Sequence, residues 1–144
     1  MTATIELAKS VNDDLFAAVH RLLPQLSSAA PPSIEELQAI VDDPDTGLFV
    51  AKLDGVVVGM LTLVLFRIPT GVKAWIEDVV VDGAARGHGL GDALNRAALA
   101  HARAHGATAV SLTSRPSREA ANRLYQRIGF TVRDTNVYRY SFDT

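Results

Sequence analysis

From Val79 to Asp92 an apolar strand pattern runs into a turn with glycines at 87, 89 and 91, and a long helical pattern opens directly behind it. That strand, turn and helix form the unit around which the rest of the chain has to be arranged. A turn of this kind leaves a row of backbone N–H groups unpaired at a helix N-terminus. Those donors, together with the positive end of the helix dipole, suit a phosphate or pyrophosphate. The glycines let an anion approach the backbone where a Cβ would collide with it. On its own, a glycine-rich turn also serves as a plain tight connection.

Two familiar phosphate loops do not fit. A dinucleotide fingerprint needs Gly-x-Gly-x-x-Gly after a first strand, and the last gap here is too short. A P-loop needs Gly-Lys-Ser/Thr at its end, and no Lys stands near Gly91. What remains is Arg86-Gly87-His88-Gly89-Leu90-Gly91, an Arg-x-x-Gly-x-Gly pattern. It resembles the coenzyme A pyrophosphate loop of the GNAT superfamily of N-acetyltransferases. A second stretch, Leu124-Tyr125-x-x-x-Gly129-Phe130, resembles the other hallmark of that superfamily, in the expected order. The resemblance spans about Thr4 to Phe142 and is weakest before Gly47.

At 144 residues the chain is read as a single domain, residues 1–144, long enough for a sizeable core. Its hydrophobic fraction is 48% and its charged fraction 21%, ordinary values for a globular protein. A net charge of −2 argues against a general nucleic-acid or anionic-membrane binder. Without cysteine there is no disulfide, thiol nucleophile or Cys-ligated metal. The N-terminus lacks a signal-peptide pattern, and no apolar run reaches the length of a membrane span. A cytoplasmic location is the default expectation. His20, His101 and His105 fall on helix patterns without metal-ligand spacing, so no metal is expected.

Local patterning predicts a first strand at Ile5–Ala8. A helix with Asp13 and Asp14 at its start follows, running through Leu26. Ser33 and Glu36 form a capping box for a short helix to about Val41. Two β-rich runs, Leu48–Leu53 and Val56–Phe66, flank Asp54-Gly55, which favours a type I′ hairpin turn. A connection is expected at Arg67–Lys73, a fourth strand at Ala74–Val81, a helix at Leu90–Ala104 and a fifth strand at Ala107–Thr113. Another helix should start at Pro116 or Ser117 and run to about Ile128. Strands at Phe130–Arg133 and Val137–Phe142 complete the pattern. The order is that of a mixed α/β (α+β) domain. The resemblance implies the GNAT fold, with six to seven strands in a mixed sheet and about four helices.

For the site, the resemblance implies a gap between strands four and five that takes the pantetheine arm of acetyl-CoA. By position, the backbone of Val79, Val80 and Val81 would meet the acetyl and pantetheine groups. The loop Arg86, Gly87, His88, Gly89, Leu90, Gly91 and Asp92 would hold the pyrophosphate. Arg86 serves either a phosphate or the loop itself, and His88 reads more simply as an exposed loop residue. Tyr125 stands where the family has the tyrosine beside the thioester sulfur; the plainer alternative is an amphipathic core Tyr sharing a face with Ala121 and Ile128.

Acetyl transfer to an amine also needs a proton acceptor, because an alkyl ammonium with a pKa near ~10.4 is almost fully protonated at neutral pH. Glu77 and Asp78 are the candidates, interrupting an otherwise apolar strand. Alternation would send them to opposite faces, Glu77 with Trp75, Val79 and Val81. Either one could instead bind backbone N–H groups or an Arg. Trp75-Ile-Glu-Asp-Val-Val-Val81 resembles the corresponding strand of eukaryotic-type glucosamine-6-phosphate N-acetyltransferases, in which an acidic pair helps to form the acceptor site. One departure stands out. Many relatives carry an Asn about seven residues before the Tyr, where this chain has Arg118. Asn122 lies closer and either faces the cofactor or sits on an open helix face.

The expectation is an acetyl-CoA-dependent N-acetyltransferase acting on a small-molecule primary amine, with a homodimer compatible but not required. A protein lysine or N-terminal acetyltransferase is the alternative within enzymes. A non-catalytic acyl-CoA-binding regulatory module is the alternative from another class.

Overall fold

The computed structural model describes residues 2–142. These divide into two compact units, Met1–Thr113 and Ser114–Thr144. The first contains β1 (Ala3–Leu7), α1 (Asp13–Leu22), α2 (Ile34–Asp42), β2 (Thr46–Leu53), β3 (Val56–Ile68), β4 (Gly71–Val81), α3 (Leu90–Ala104) and β5 (Ala107–Ser111). Its sheet has five strands in sequence order. The first four pair antiparallel, and β4 pairs with β5 in parallel.

The helix starts follow from local chemistry. Asn12, not Asp13 or Asp14, caps α1: its Oδ1 accepts from Leu15 N–H at 2.8 Å, leaving the two aspartates to complement the helix dipole. Ser33 and Glu36 form the expected capping box on α2. In the β2–β3 hairpin both Asp54 (φ 52°) and Gly55 (φ 83°) are left-handed, as a type I′ turn demands. The expected connection at Arg67–Lys73 is almost all strand. β3 continues to Ile68 and β4 begins at Gly71, so only Pro69 and Thr70 turn the chain.

Helices cover both faces of the sheet. On one face Leu15, Ala18, Val19 and Leu22 of α1 and Leu37 of α2 pack with Leu48, Val50, Met60 and Val80. On the other lies α3, burying Leu90, Leu94, Ala98 and Ala102 at helical spacing. Gly59 lets α3 sit close, since a Cβ there would come within 3.3 Å of both the Leu94 side chain and the Val80 carbonyl. No helix among the described residues is long and apolar enough to cross a membrane.

The second unit is built on α4 (Glu119–Ile128). Gly129 (φ 125°) ends the helix, and Phe130 N–H reaches back to the Tyr125 carbonyl at 2.9 Å. The two strands expected after it are not formed. Residues 130–142 have no regular secondary structure, and Val137, Tyr138, Tyr140 and Phe142 are exposed. Their β-rich composition describes residues that suit a half-buried pleated surface, and a strand exists only where a neighbouring strand takes up its backbone bonds. The mixed α/β sheet architecture therefore stands, with five strands rather than six or seven.

Candidate active site

A bulge in β4 sets the geometry of the acidic pair. Met60 pairs with Val80 and Thr62 with Glu77, so between these pairs one residue of β3, Leu61, opposes two of β4, Asp78 and Val79. Asp78 takes up the extra length in the left-handed region, at φ 51°. Met60 and Leu63 lie three apart on β3 and so face opposite ways. Their partners Val80 and Ile76 therefore also face opposite ways, although they are four apart. Simple alternation thus fails across the bulge. Glu77 shares its face with Trp75 and Val80, on the side of α1 and α2, while Val81 pairs with Gly59 on the side of α3. Both Glu77 and Asp78 are exposed, which removes the need to explain a buried charge.

The bulge also marks where β4 parts from β5. The two strands pair at Val72, Ala74 and Trp75, and β5 ends at Ser111. Beyond Trp75 the β5-side edge of β4, from Ile76 to Val81, carries no strand partner among the described residues. Val79, Val80 and Val81 lie on this open edge.

From Val81 the chain enters the glycine loop through a tied-down turn. Asp82 Oδ1 accepts from Ala84 N–H at 3.1 Å, and Asp82 N–H donates to the Val58 carbonyl at 2.7 Å. Gln25 Oε1 accepts from Gly83 N–H at 3.0 Å, and Arg21 lies 3.7 Å from Asp82. The end of the α1 region thus holds the loop entrance. Arg21, Gln25 and Asp82 were not singled out from sequence. Only Asp82 carries a local signal, an Asx turn before small residues.

Gly87 (φ 88°) and Gly89 (φ 70°) then bend the backbone into α3. Gly89 occupies the N-cap without a side-chain cap, and the first bond into the helix is Ala93 N–H to the Gly89 carbonyl at 3.0 Å. The N–H groups of Leu90, Gly91 and Asp92 are left for an outside acceptor. Nothing lies within 4 Å of where a Cβ on Gly87 or Gly89 would stand, so the approach is open. Arg86 and His88 are exposed beside it. Asp92 would repel an anion here, but Arg96 Nε binds its Oδ1 at 2.6 Å.

An open strand edge beside free N–H donors suits a ligand that can pair along a strand and also carries an anionic group. A different feature, a cavity of about 430 Å³ lined by Lys9, Asp42, Asp45, His101 and His105 among others, lies at the C-terminal end of α3. It is remote from these donors. Among the described residues no group of three or more His, Asp or Glu is placed to hold a metal ion.

In the second unit Tyr125 is 8% exposed and meets Phe130 edge-on, with ring centroids 5.7 Å apart. Burial pushes its phenol pKa up, and the Arg118 charge opposes that shift. Asn122 Nδ2 donates to the carbonyls of Arg115 and Arg118, both at 2.8 Å, and so braces the turn before α4.

Comparison with known proteins places this two-sided sheet, loop and open edge in a family. The model of the acetyltransferase (GNAT) family matches residues 13–130, and the chain belongs to that family. Over 105 residues it is 35% identical to the mycothiol acetyltransferase of Thermobispora bispora, covering 69% of this chain and 36% of that protein. The chain spans about a third of the length of the curated relatives it matches. Among solved structures, a transcriptional regulator from Bacillus halodurans is similar with a TM-score of 0.80 and 28% identity, covering 98% of this chain and 100% of the other. Glucosamine-6-phosphate N-acetyltransferase from Arabidopsis thaliana shares the fold, with a TM-score of 0.80 and 23% identity over 97% of this chain and 99% of that one.

Proposed function

We propose that this chain transfers the acetyl group of acetyl-CoA to a primary amine of a small molecule. The observation that carries the proposal is the pairing of two unsatisfied backbone surfaces. The edge of β4 from Ile76 to Val81 and the N–H groups of Leu90, Gly91 and Asp92 lie at either end of one short loop. The family match crosses the boundary between the two units, which supports treating residues 1–144 as one acetyltransferase domain.

In this reading the N–H groups of residues 87–92 bind the pyrophosphate, and the edge of β4 aligns the pantetheine arm as an added strand would be aligned. Arg86 and His88 flank the phosphates, and Asn122 braces the entry to α4. Glu77 is the favoured amine anchor and base, with Asp78 beside it. An exposed carboxylate first draws in the ammonium and then accepts its proton, directly or through water. The neutral amine forms the new C–N bond as the C–S bond breaks, and the proton then in excess on the nitrogen leaves to water. Tyr125, kept protonated by burial, is in the phenol form that can return a proton to a thiolate, the role that the resemblance gives it. A small-molecule acceptor is supported by the names of relatives, a mycothiol acetyltransferase and a glucosamine-6-phosphate N-acetyltransferase.

A second reading, an acyl-CoA-binding regulatory module, draws on the likeness to a transcriptional regulator. Calorimetric titration with acetyl-CoA and CoA, followed by an amine panel with Glu77→Gln, separates the two. Binding with turnover that falls in Glu77→Gln is expected. Binding without turnover of any amine favours the module, and no binding by folded protein defeats both.

A further inference from the structure

Asn95 is the buried polar side chain of the described core, with 0% exposure. It stands on α3 next to Leu94, one turn below the glycine loop. Its Nδ2 donates to the Gly91 carbonyl at 2.8 Å, and its Oδ1 has no partner among the described residues. A buried acceptor without a donor is costly, and an apolar side chain of similar size would avoid that cost. An Asn inside a helix is also a poorer helix former than Leu or Ala. Stability alone therefore does not account for this residue.

The peptide group it touches gives the reason. The carbonyl of Gly91 and the N–H of Asp92 belong to one peptide unit, and that N–H is one of the free donors at the start of α3. A second hydrogen bond to the carbonyl polarises the unit and strengthens the N–H at its other end. It also pins the orientation of the peptide plane, and so the direction in which the donor points. We propose that Asn95 is a positioning residue for the phosphate-binding turn, acting through the Gly91–Asp92 peptide bond on the Asp92 N–H. The inference rests on the reading that this turn holds the pyrophosphate of coenzyme A.

The test compares Asn95→Leu, Asn95→Ala and Asn95→Ser. Serine in a helix can donate back to the carbonyl four residues earlier, as Asn95 does, while the other two cannot. Binding is measured for CoA and for pantetheine, which lacks the pyrophosphate. Asn95→Leu is expected to keep or raise the melting temperature, to weaken CoA by roughly three- to tenfold and to leave pantetheine unchanged. Asn95→Ser should recover part of the loss, and Asn95→Ala should not. If Asn95→Leu does not fold, the Ser and Ala pair carries the comparison alone. Equal CoA binding by wild type and the donor-less variants overturns the proposal, as does a matching loss for pantetheine. The amide proton of Asp92, followed by NMR in ligand-free protein, is expected to move upfield in Asn95→Leu and Asn95→Ala. That readout stands even if wild type binds no CoA, an outcome that would count against the functional reading, and an unmoved amide sinks the positioning role by itself.

Discussion

Asp78 shows how far one backbone angle can decide the layout of a site. At φ 51° it holds the bulge that turns Glu77 and Val80 to one side of β4 and Val81 to the other. Asp and Asn tolerate the left-handed region better than other side chains, and a β-branched residue tolerates it least. Asp78→Asn should therefore stay within about 0.5 kcal/mol of wild-type stability, and Asp78→Val should lose about 1–2 kcal/mol by denaturant titration. If Asp78 serves only the bulge, Asp78→Asn keeps its activity; a fall in kcat with stability intact assigns the charge a part in the chemistry. Tyr125 offers the matching test on the acid side. Burial disfavours its phenolate, so the proton-donating form persists to higher pH than in an exposed tyrosine. Tyr125→Phe is expected to lower kcat about 10²-fold with little change in KM for acetyl-CoA. Because the wild-type phenol stays protonated through the neutral range, the deficit should be constant from pH 7 to 9 in a rate profile.

At the scale of elements, what could be read in advance follows what is local. The helix at Leu90–Ala104, the capping box of α2 and the Asp54-Gly55 turn depend on residues adjacent in sequence, and all three formed as expected. The bulge was not legible, because Asp78 looks like any acid in an apolar strand until β3 is laid beside it. The C-terminal strands fail for a related reason, since Val137–Phe142 has the composition of a strand but no pairing partner among its neighbours. Loop entry was hidden in the same way: Gln25 lies 58 residues from Gly83, the N–H it accepts. The far end of α3 supplies a prediction of its own. His101 meets Phe49 edge-on at 5.4 Å and stacks on His105 at 4.0 Å. Desolvation, with a smaller push from the His105 charge, lowers its pKa from the usual 6.5. The unfolded chain then binds a proton at a higher pH than the folded one. The contribution is complete above about pH 6.5 and is lost as pH falls through the lower folded value. Melting temperature should drop between pH 7 and 5, and His101→Phe should flatten that slope. An unchanged slope would place the acid sensitivity in other groups.

At the scale of the whole molecule, the proposed donor site is made almost entirely of backbone, so its occupancy should be felt as stability rather than as a change of charge. The formal net charge is only −2, and the attraction for a phosphate comes from a few oriented N–H groups and the exposed Arg86. These groups are unsatisfied by protein in the free chain, and ligand binding adds its free energy to the native state alone. At a ligand concentration one hundred times Kd, that addition is about 2.7 kcal/mol. For a chain of 144 residues this corresponds to a rise in melting temperature of roughly 5–10 °C. CoA and acetyl-CoA should both produce it, and pantetheine should produce less, because it reaches the β4 edge but not the loop. Hydrogen exchange provides the local view. Amides of residues 76–81 and 87–92 should slow when CoA is present, while those of β1 and β2, far from the open edge, should not change beyond the global effect. Stabilisation with protection confined to β1 and β2 would place the ligand elsewhere and remove the backbone argument on which the proposed activity stands.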